Sequence, residues 1–467
     1  MVVSTRLVST RTSVFVRFFA AFGAACLALF LALIVPAAGG ASSLMPAFPR
    51  NPETRTEVVI IGTRHSAQLE YEDHAPARMR ALLNRIDPAA VGVETTPAWF
   101  AEEVYYEISY ESYGVAVPWA REKGKEVRAI DWQASTLEFI YALSWPNAVP
   151  EGVQQTDGEG GPNASASSSA SGGERQGERE ELPLDLWDMR ELLFADTPEW
   201  RDAVHREYAF ADPDPNPWME ALRRYMLYRN VIIAREIVNL AADYDGQRVV
   251  VLIGAAHKPD LDLLLENMPN IVVRHASEWW GDGLSTEEVA AEERRADHLA
   301  ILWYNLAGSR VEPADVDLAR MDALLARLEA EGPFDPEVRF LRAQRHAVAG
   351  ETGAAVDIYR DLAWETEWID RSFTYPDRSL AERIADWNAR EAEALGFPSQ
   401  RELSLGNVIS PVGHLTIRQR ILYELARQEV DREARLRAVR ELERAGLNPR
   451  QLMELRAQLD VDAVPEE

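Results

Sequence analysis

Two stretches of the chain are unbroken runs of β-branched and aliphatic residues, Val58 to Ile61 and Val249 to Ile253. Neither alternates with polar positions, so each predicts a strand buried on both faces, the signature of a parallel sheet. Both runs end at a glycine with a histidine three residues beyond: Gly62-Thr-Arg-His65 and Gly254-Ala-Ala-His257. One such histidine after a strand means little. Two at matched positions make a constellation.

Between and around these runs the apolar positions change period. Met79, Leu82, Leu83 and Ile86 keep helical spacing from about Pro76, and Asp87-Pro88 ends that helix. A short strand over Ala90 to Val93 follows. The aromatic-rich stretch from Trp99 to Trp119 predicts a helix, and Glu126 to Ile130 predicts the next strand. Pro217 opens a long amphipathic helix to about Asp243, with Leu222, Met226, Ile233, Ile237 and Leu240 on its apolar stripe. A helix over Leu261 to Asn267 and a strand over Ile271 to Val273 come last in this half. Crossovers of this length fit parallel pairing. The expected fold is therefore α/β, a mainly parallel sheet flanked by helices over residues 56 to 280.

From about residue 284 to 467 the pattern is all helical. Residues 335 to 364 resemble one tetratricopeptide-type hairpin, with a Gly350-Glu-Thr-Gly353 turn, but no clean second copy appears at that period. Residues 416 to 460 predict charged helices packed through stripes such as Ile421, Leu422 and Leu425. Residues 150 to 181 are of another kind. Gly158 to Gly173 is almost wholly Gly, Ser, Ala, Pro and Asn, which cannot bury apolar area, so a disordered surface insertion is expected within the α/β domain.

Composition narrows the function. The net charge of -27 arises from 76 acids against 49 bases, and the lysines are only Lys123, Lys125 and Lys258. Nucleic acid and anionic membrane surfaces are disfavoured as partners, because phosphate binding needs clustered base. Residues 1 to 43 read as a signal peptide or N-terminal membrane anchor: Arg6, Arg11 and Arg17, then the apolar run Phe18 to Pro36, then small residues. The expected location is exported, either periplasmic or held to the cell membrane by that segment alone. Cys26 is the single cysteine and lies in the leader, so cysteine chemistry is excluded from the rest.

In open parallel sheets ligands bind beyond the carboxyl ends of the strands. The polar residues just past the expected strand ends are His65, Glu94, Asp131, His257 and, at the last strand, His275. Each alone has a plain explanation; Asp131, for instance, suits a helix cap. Together, two neutral imidazoles and a carboxylate make a ligand set for a catalytic divalent ion with open positions, of which Mn, Co and Zn are candidates. The same groups without metal serve as general acid and base. Spacing does not separate these.

The paired motifs, with Gly92-Val-Glu94 after the second strand and Arg229-Asn230 on the helix before the second motif, resemble the TraB/TIKI family. That family belongs to the superfamily of erythromycin-esterase-like and ChaN-like proteins. The resemblance spans residues 56 to 275 and leaves the helical tail unexplained. It implies a ChaN-like fold and metal-dependent hydrolysis of a peptide or ester, with His65, Glu94 and His257 at the metal and Asp131 in support. Arg229 is then a cleft residue holding a carboxylate or carbonyl oxygen. Some superfamily members carry Glu after the first glycine; here Thr63 stands there, which favours the TIKI-like branch or an inactive binder. Two other classes stay open: a non-catalytic ChaN-like haem or metal-binding protein, and a scaffold whose residues 284 to 467 bind a protein partner.

Overall fold

The computed structural model describes residues 54–106, 108–133, 191–208, 217–308, 311–365, 373–375, 378–394, 415–447 and 449–458. The expected leader, 1 to 43, and the expected insertion, 150 to 181, lie outside the described residues. Among the described residues no helix is long and apolar enough to cross a membrane.

The chain alternates strand and helix as its apolar pattern dictates. Strand β1 (Thr56–Thr63) leads through the short helix α1 (Ala67–Glu70) and helix α2 (Pro76–Ile86) to β2 (Ala90–Val93). Helices α3 (Pro97–Ala101) and α4 (Val117–Glu122) precede β3 (Glu126–Ala129). Helices α5 (Pro198–Tyr208) and α6 (Pro217–Asp243) come before β4 (Arg248–Gly254), and α7 (Lys258–Glu266) before β5 (Ile271–His275). One expectation is corrected. The stretch from Trp99 to Trp119 is not a single helix: α3 ends at Ala101, and a wide π-helical turn, Glu111–Ala116, runs into α4. Pro118 lacks an N–H to continue the regular ladder, in keeping with an irregular turn there.

The sheet has five strands in the order β3-β2-β4-β1-β5, with every neighbouring pair parallel. Its register levels the strand ends: Ile61 pairs with Leu252, and Leu252 with Val93, which pairs with Ala129. Successive side chains of each central strand fall in separate cores. Val59, Ile61, Val250 and Leu252 face one side with Met79, Leu82 and Leu83 of α2. Val58, Ile60, Val249 and Val251 face the other with Ile233 and Ile237 of α6 and Leu261 of α7. Hence neither strand run alternates.

This topology makes a crevice. After β1 the chain crosses β4 to reach β2, with α2 on one face; after β4 it crosses β1 to reach β5, with α7 on the opposite face. Adjacent strands that send their chains in opposite directions leave a gap at their carboxyl ends, the switch point where open α/β sheets bind ligands. Both histidine motifs end there.

The rest is helical: α8 (Thr286–Ala291), α9 (Arg295–Leu302), α10 (Leu318–Glu331), α11 (Pro336–Val348), α12 (Thr352–Ala363), α13 (Arg378–Ala394), α14 (Ile417–Gln428), α15 (Arg432–Arg444) and α16 (Pro449–Gln458). Helices α11 and α12 form the expected hairpin. Asp335 caps α11 through the Glu337 N–H at 2.9 Å. Among the described residues this region has no separate apolar core of its own. Leu299, Trp303, Phe340, Tyr359 and Leu422 belong to the same apolar cluster as one face of the sheet.

Candidate functional site

Glu94, the residue after β2, is the hub of the crevice. It is only 3% exposed. Its Oε1 accepts from Arg229 Nη2 at 2.8 Å and lies 3.5 Å from His257 Nε2. Its Oε2 accepts from the Gly254 N–H at 2.6 Å and lies 3.5 Å from His65 Nε2. The two imidazoles, nearly two hundred residues apart in sequence, therefore address the two oxygens of one carboxylate.

Each imidazole is locked from behind. His65 Nδ1 stands 2.7 Å from Oε1 of the buried Glu111, and His257 Nδ1 stands 2.5 Å from Oδ1 of the buried Asn230. Both partners are acceptors, so each Nδ1 carries a proton and each Nε2 is the nitrogen turned to Glu94. Asn230 is fixed in turn. Its Nδ2 donates to Asp260 at 2.8 Å, and Arg223 grips the same carboxylate at 2.8 and 3.1 Å.

Glycine at each strand end has a distinct cause. A Cβ on Gly254 would stand 2.8 Å from His65 Nε2 and 3.3 Å from Glu94 Oε2, so the second motif's glycine makes room for the first motif's histidine. A Cβ on Gly62 would meet the Ala195 Cβ at 2.6 Å. Just past His65, Ser66 takes the left-handed conformation at φ 61°, which is uncommon for a residue other than glycine.

Arg229 completes the acid side. It is 12% exposed, not a solvated helix arginine. Besides Glu94 it grips Asp131, from Nε to Oδ1 at 2.8 Å and from Nη2 to Oδ2 at 2.7 Å. Asp131 Oδ2 also accepts from the Tyr106 hydroxyl at 2.8 Å. The crevice thus brings together His65, Glu94, His257, Arg229 and Asp131. His275 lies apart at the β5 edge, 45% exposed, with Nδ1 3.9 Å from Asp196.

The charges are strongly biased. Burial works against a charged His65, yet Glu111 and then Glu94 outweigh it, and its pKa is pushed up from 6.5 to about 9. Burial likewise opposes a charged Glu94, but His65, His257 and Arg229 together hold it well below the carboxylate range. Burial and Asp131 push the Tyr106 hydroxyl well up, so it stays a neutral donor.

Among the described residues no group of three or more His, Cys, Asp or Glu side chains is placed so that it could hold a metal ion as it stands. The donors nonetheless suit an ion in kind. Two donors about 2.1 Å from a tetrahedral ion stand roughly 3.4 Å apart, close to the 3.5 Å from His65 Nε2 to Oε2 and from His257 Nε2 to Oε1, which are different oxygens of Glu94. A carboxylate behind a ligating imidazole is the usual outer support of such a site.

Glu111, Tyr106 and Asn230's partner Asp260 carry no motif in the sequence. The available signal for Glu111 was an acid set in the aromatic run Tyr105 to Trp119, where a charged residue needs a partner. No family model, curated protein or solved structure gives a significant match to the chain.

Proposed function

We propose that the crevice is the active site of an exported hydrolase of peptide or ester bonds, working with a divalent ion (Mn, Co or Zn) held by His65, Glu94 and His257. One observation carries this: both imidazoles commit Nδ1 to a buried acceptor and turn Nε2 toward the same carboxylate. When bound, such an ion acidifies water to supply hydroxide near neutral pH. The chain's own residues do the rest. Glu111 and Asn230 fix the imidazoles, Arg229 adds to the histidines in keeping Glu94 ionised, and Asp131 with Tyr106 holds Arg229 in its rotamer. The TraB/TIKI resemblance of the motifs supports the same class.

A metal-free alternative has its own support. His65 near pKa 9 is a cationic acid beside the carboxylate of Glu94, and an acid–base pair suffices for some hydrolyses. Chelator separates the two: turnover of model esters and peptides by the full chain should vanish in chelator and return with added Mn, Co or Zn. Full activity in chelator would leave the acid–base pair.

A further inference from the structure

Glu111 reaches the crevice from an irregular piece of chain, the π-helical turn Glu111–Ala116. Such turns are rare and gather at functional sites. The carboxylate is fully buried and spends Oε1 on His65 Nδ1 at 2.7 Å. Among the described residues its Oε2 has no hydrogen-bond partner, and neither do the buried hydroxyls of Ser109 and Ser112 beside it in sequence. No second hydrogen bond among these residues aims the carboxylate, so its direction comes from the backbone of the turn. A hydrogen bond of this length tolerates little displacement of either partner.

The residue before Glu111 is anchored where Glu111 is not. Tyr110, 5% exposed, donates its hydroxyl to Asp297 Oδ1 at 2.8 Å. Asp297 stands in the first turn of α9, and its Oδ2 accepts from the fully buried Arg80 of α2. Arg80 is fixed in turn by the Glu292 carbonyl, 2.8 Å from its Nη2. The Tyr110 ring is wedged as well. Tyr113 and Tyr375 meet it edge-on at 5.4 and 5.6 Å, and Trp303 backs Tyr375 at 5.5 Å. Gly114 leaves the ring its room, since a Cβ there would stand 2.5 Å from it. Burial and Asp297 push the Tyr110 hydroxyl's pKa well up, so it stays a neutral donor.

A hydrogen bond to a buried carboxylate is a firm constraint, because breaking it leaves a charged acceptor short of a donor. From this chain of contacts we infer that Tyr110 is a positioning residue: Asp297 of the helical half fixes Tyr110, and Tyr110 sets the π-helical turn that aims Glu111 at His65. The helical half is then part of the crevice's working structure. The inference rests on the crevice as proposed above, but its test reads the Glu111–His65 hydrogen bond itself and needs neither metal nor turnover.

The test is the imidazole N–H signals of the full chain, labelled with nitrogen-15 histidine and stripped by chelator, in NMR. Two downfield resonances are expected, assigned by their loss in His65→Ala and in His257→Ala. Tyr110→Phe removes only a hydroxyl and should abolish the His65 resonance or move it upfield, with that of His257 in place. Gly114→Ala presses a methyl on the Tyr110 ring without touching Asp297. It should do the same, and it decides the matter if Tyr110→Phe fails to fold. Ile421→Val, in the helical core, controls for lost stability alone and should leave both resonances. Cobalt affinity should fall about ten-fold in Tyr110→Phe, as on losing an outer support. An unchanged His65 resonance in folded Tyr110→Phe or folded Gly114→Ala, or its loss in Ile421→Val, would overturn the inference. Absent cobalt binding in every chain, with the His65 resonance still lost in Tyr110→Phe, would sink the metal reading and uphold the positioning role.

Discussion

The two histidine motifs share one plan, strand, glycine, two residues, histidine, yet they are held by different parts of the molecule. Among the described residues His257 is supported by the α/β half. The Gly254 turn runs directly into α7, and Asn230 of α6 takes the ring nitrogen with Asp260 and Arg223 behind it. His65 depends on the helical half as well. Tyr304 donates to Ser66 Oγ at 3.2 Å, Asn305 to the Leu69 carbonyl at 2.7 Å and Arg320 to the Glu70 carbonyl at 2.6 Å. Those contacts pin the left-handed turn and α1 that follow His65. The acceptors also differ, a carboxylate for His65 and a neutral amide for His257. A repeated sequence motif thus specifies where a side chain stands, while its charge and rigidity come from distant residues.

Breaking either motif at its histidine should have the largest effect. His65→Ala and His257→Ala are each expected to lower turnover of a model ester or peptide by ~10²–10⁴, the range for losing a group that acts on the reacting atoms, with the fold retained by circular dichroism. Retained turnover in either variant would remove that motif from the site.

Next come the locking groups, where the comparison sharpens. Glu111→Gln keeps the shape but exchanges the carboxylate for an amide, making the first motif more like the second. A loss of ~10–100-fold in metal affinity is expected, as for other outer supports, and Asn230→Ala should cost the same range. An unchanged Glu111→Gln variant would show that charge behind His65 is immaterial.

The glycines should separate stability from function. Gly62→Ala presses its methyl on Ala195 and is expected to cost about 1–3 kcal/mol in denaturant unfolding, as overpacking does. Gly254→Ala, at φ -52° and ψ 132°, suits alanine in backbone terms but crowds His65 Nε2 and Glu94. It should lower turnover by more than it lowers stability. The reverse order would contradict the assignment of Gly254 to the site.

The smallest effect is on pH. In metal-free protein His65 has a folded pKa raised to about 9 from 6.5. A raised histidine contributes stability that is complete below about 6.5 and is lost as pH rises through 9; the size is on the order of 3 kcal/mol. Thermal unfolding in chelator should therefore weaken across that window, and His65→Gln should flatten it. Glu94, held low, contributes in the opposite sense and loses its share in acid. An equal slope in His65→Gln would assign the effect to another group.

Much of this was legible along the chain. The strand runs, α2, the long α6 and the α11–α12 hairpin follow from periodicity and punctuation, because burial on one or two faces writes itself into residue order. The strand-end rule found His65, Glu94, Asp131 and His257, since a parallel sheet brings its carboxyl ends together. Glu111 was not legible. It lies 46 positions from His65 on a π-helical turn that breaks the apparent period, and nothing local marks an acid as the partner of a distant imidazole. Nor was the shared core. Stripes on α9, α11 and α14 predict helices that pack, but not that the sheet is their partner.

The central claim is that two Nε2 atoms and Glu94 share one divalent ion. Cobalt titration into chelator-stripped full chain, followed by visible absorbance, tests it most directly. One equivalent should bind and give a protein-ligand spectrum that disappears in His65→Ala and in His257→Ala and survives in Arg229→Ala. No stoichiometric binding, or an unchanged spectrum in both histidine variants, would contradict it.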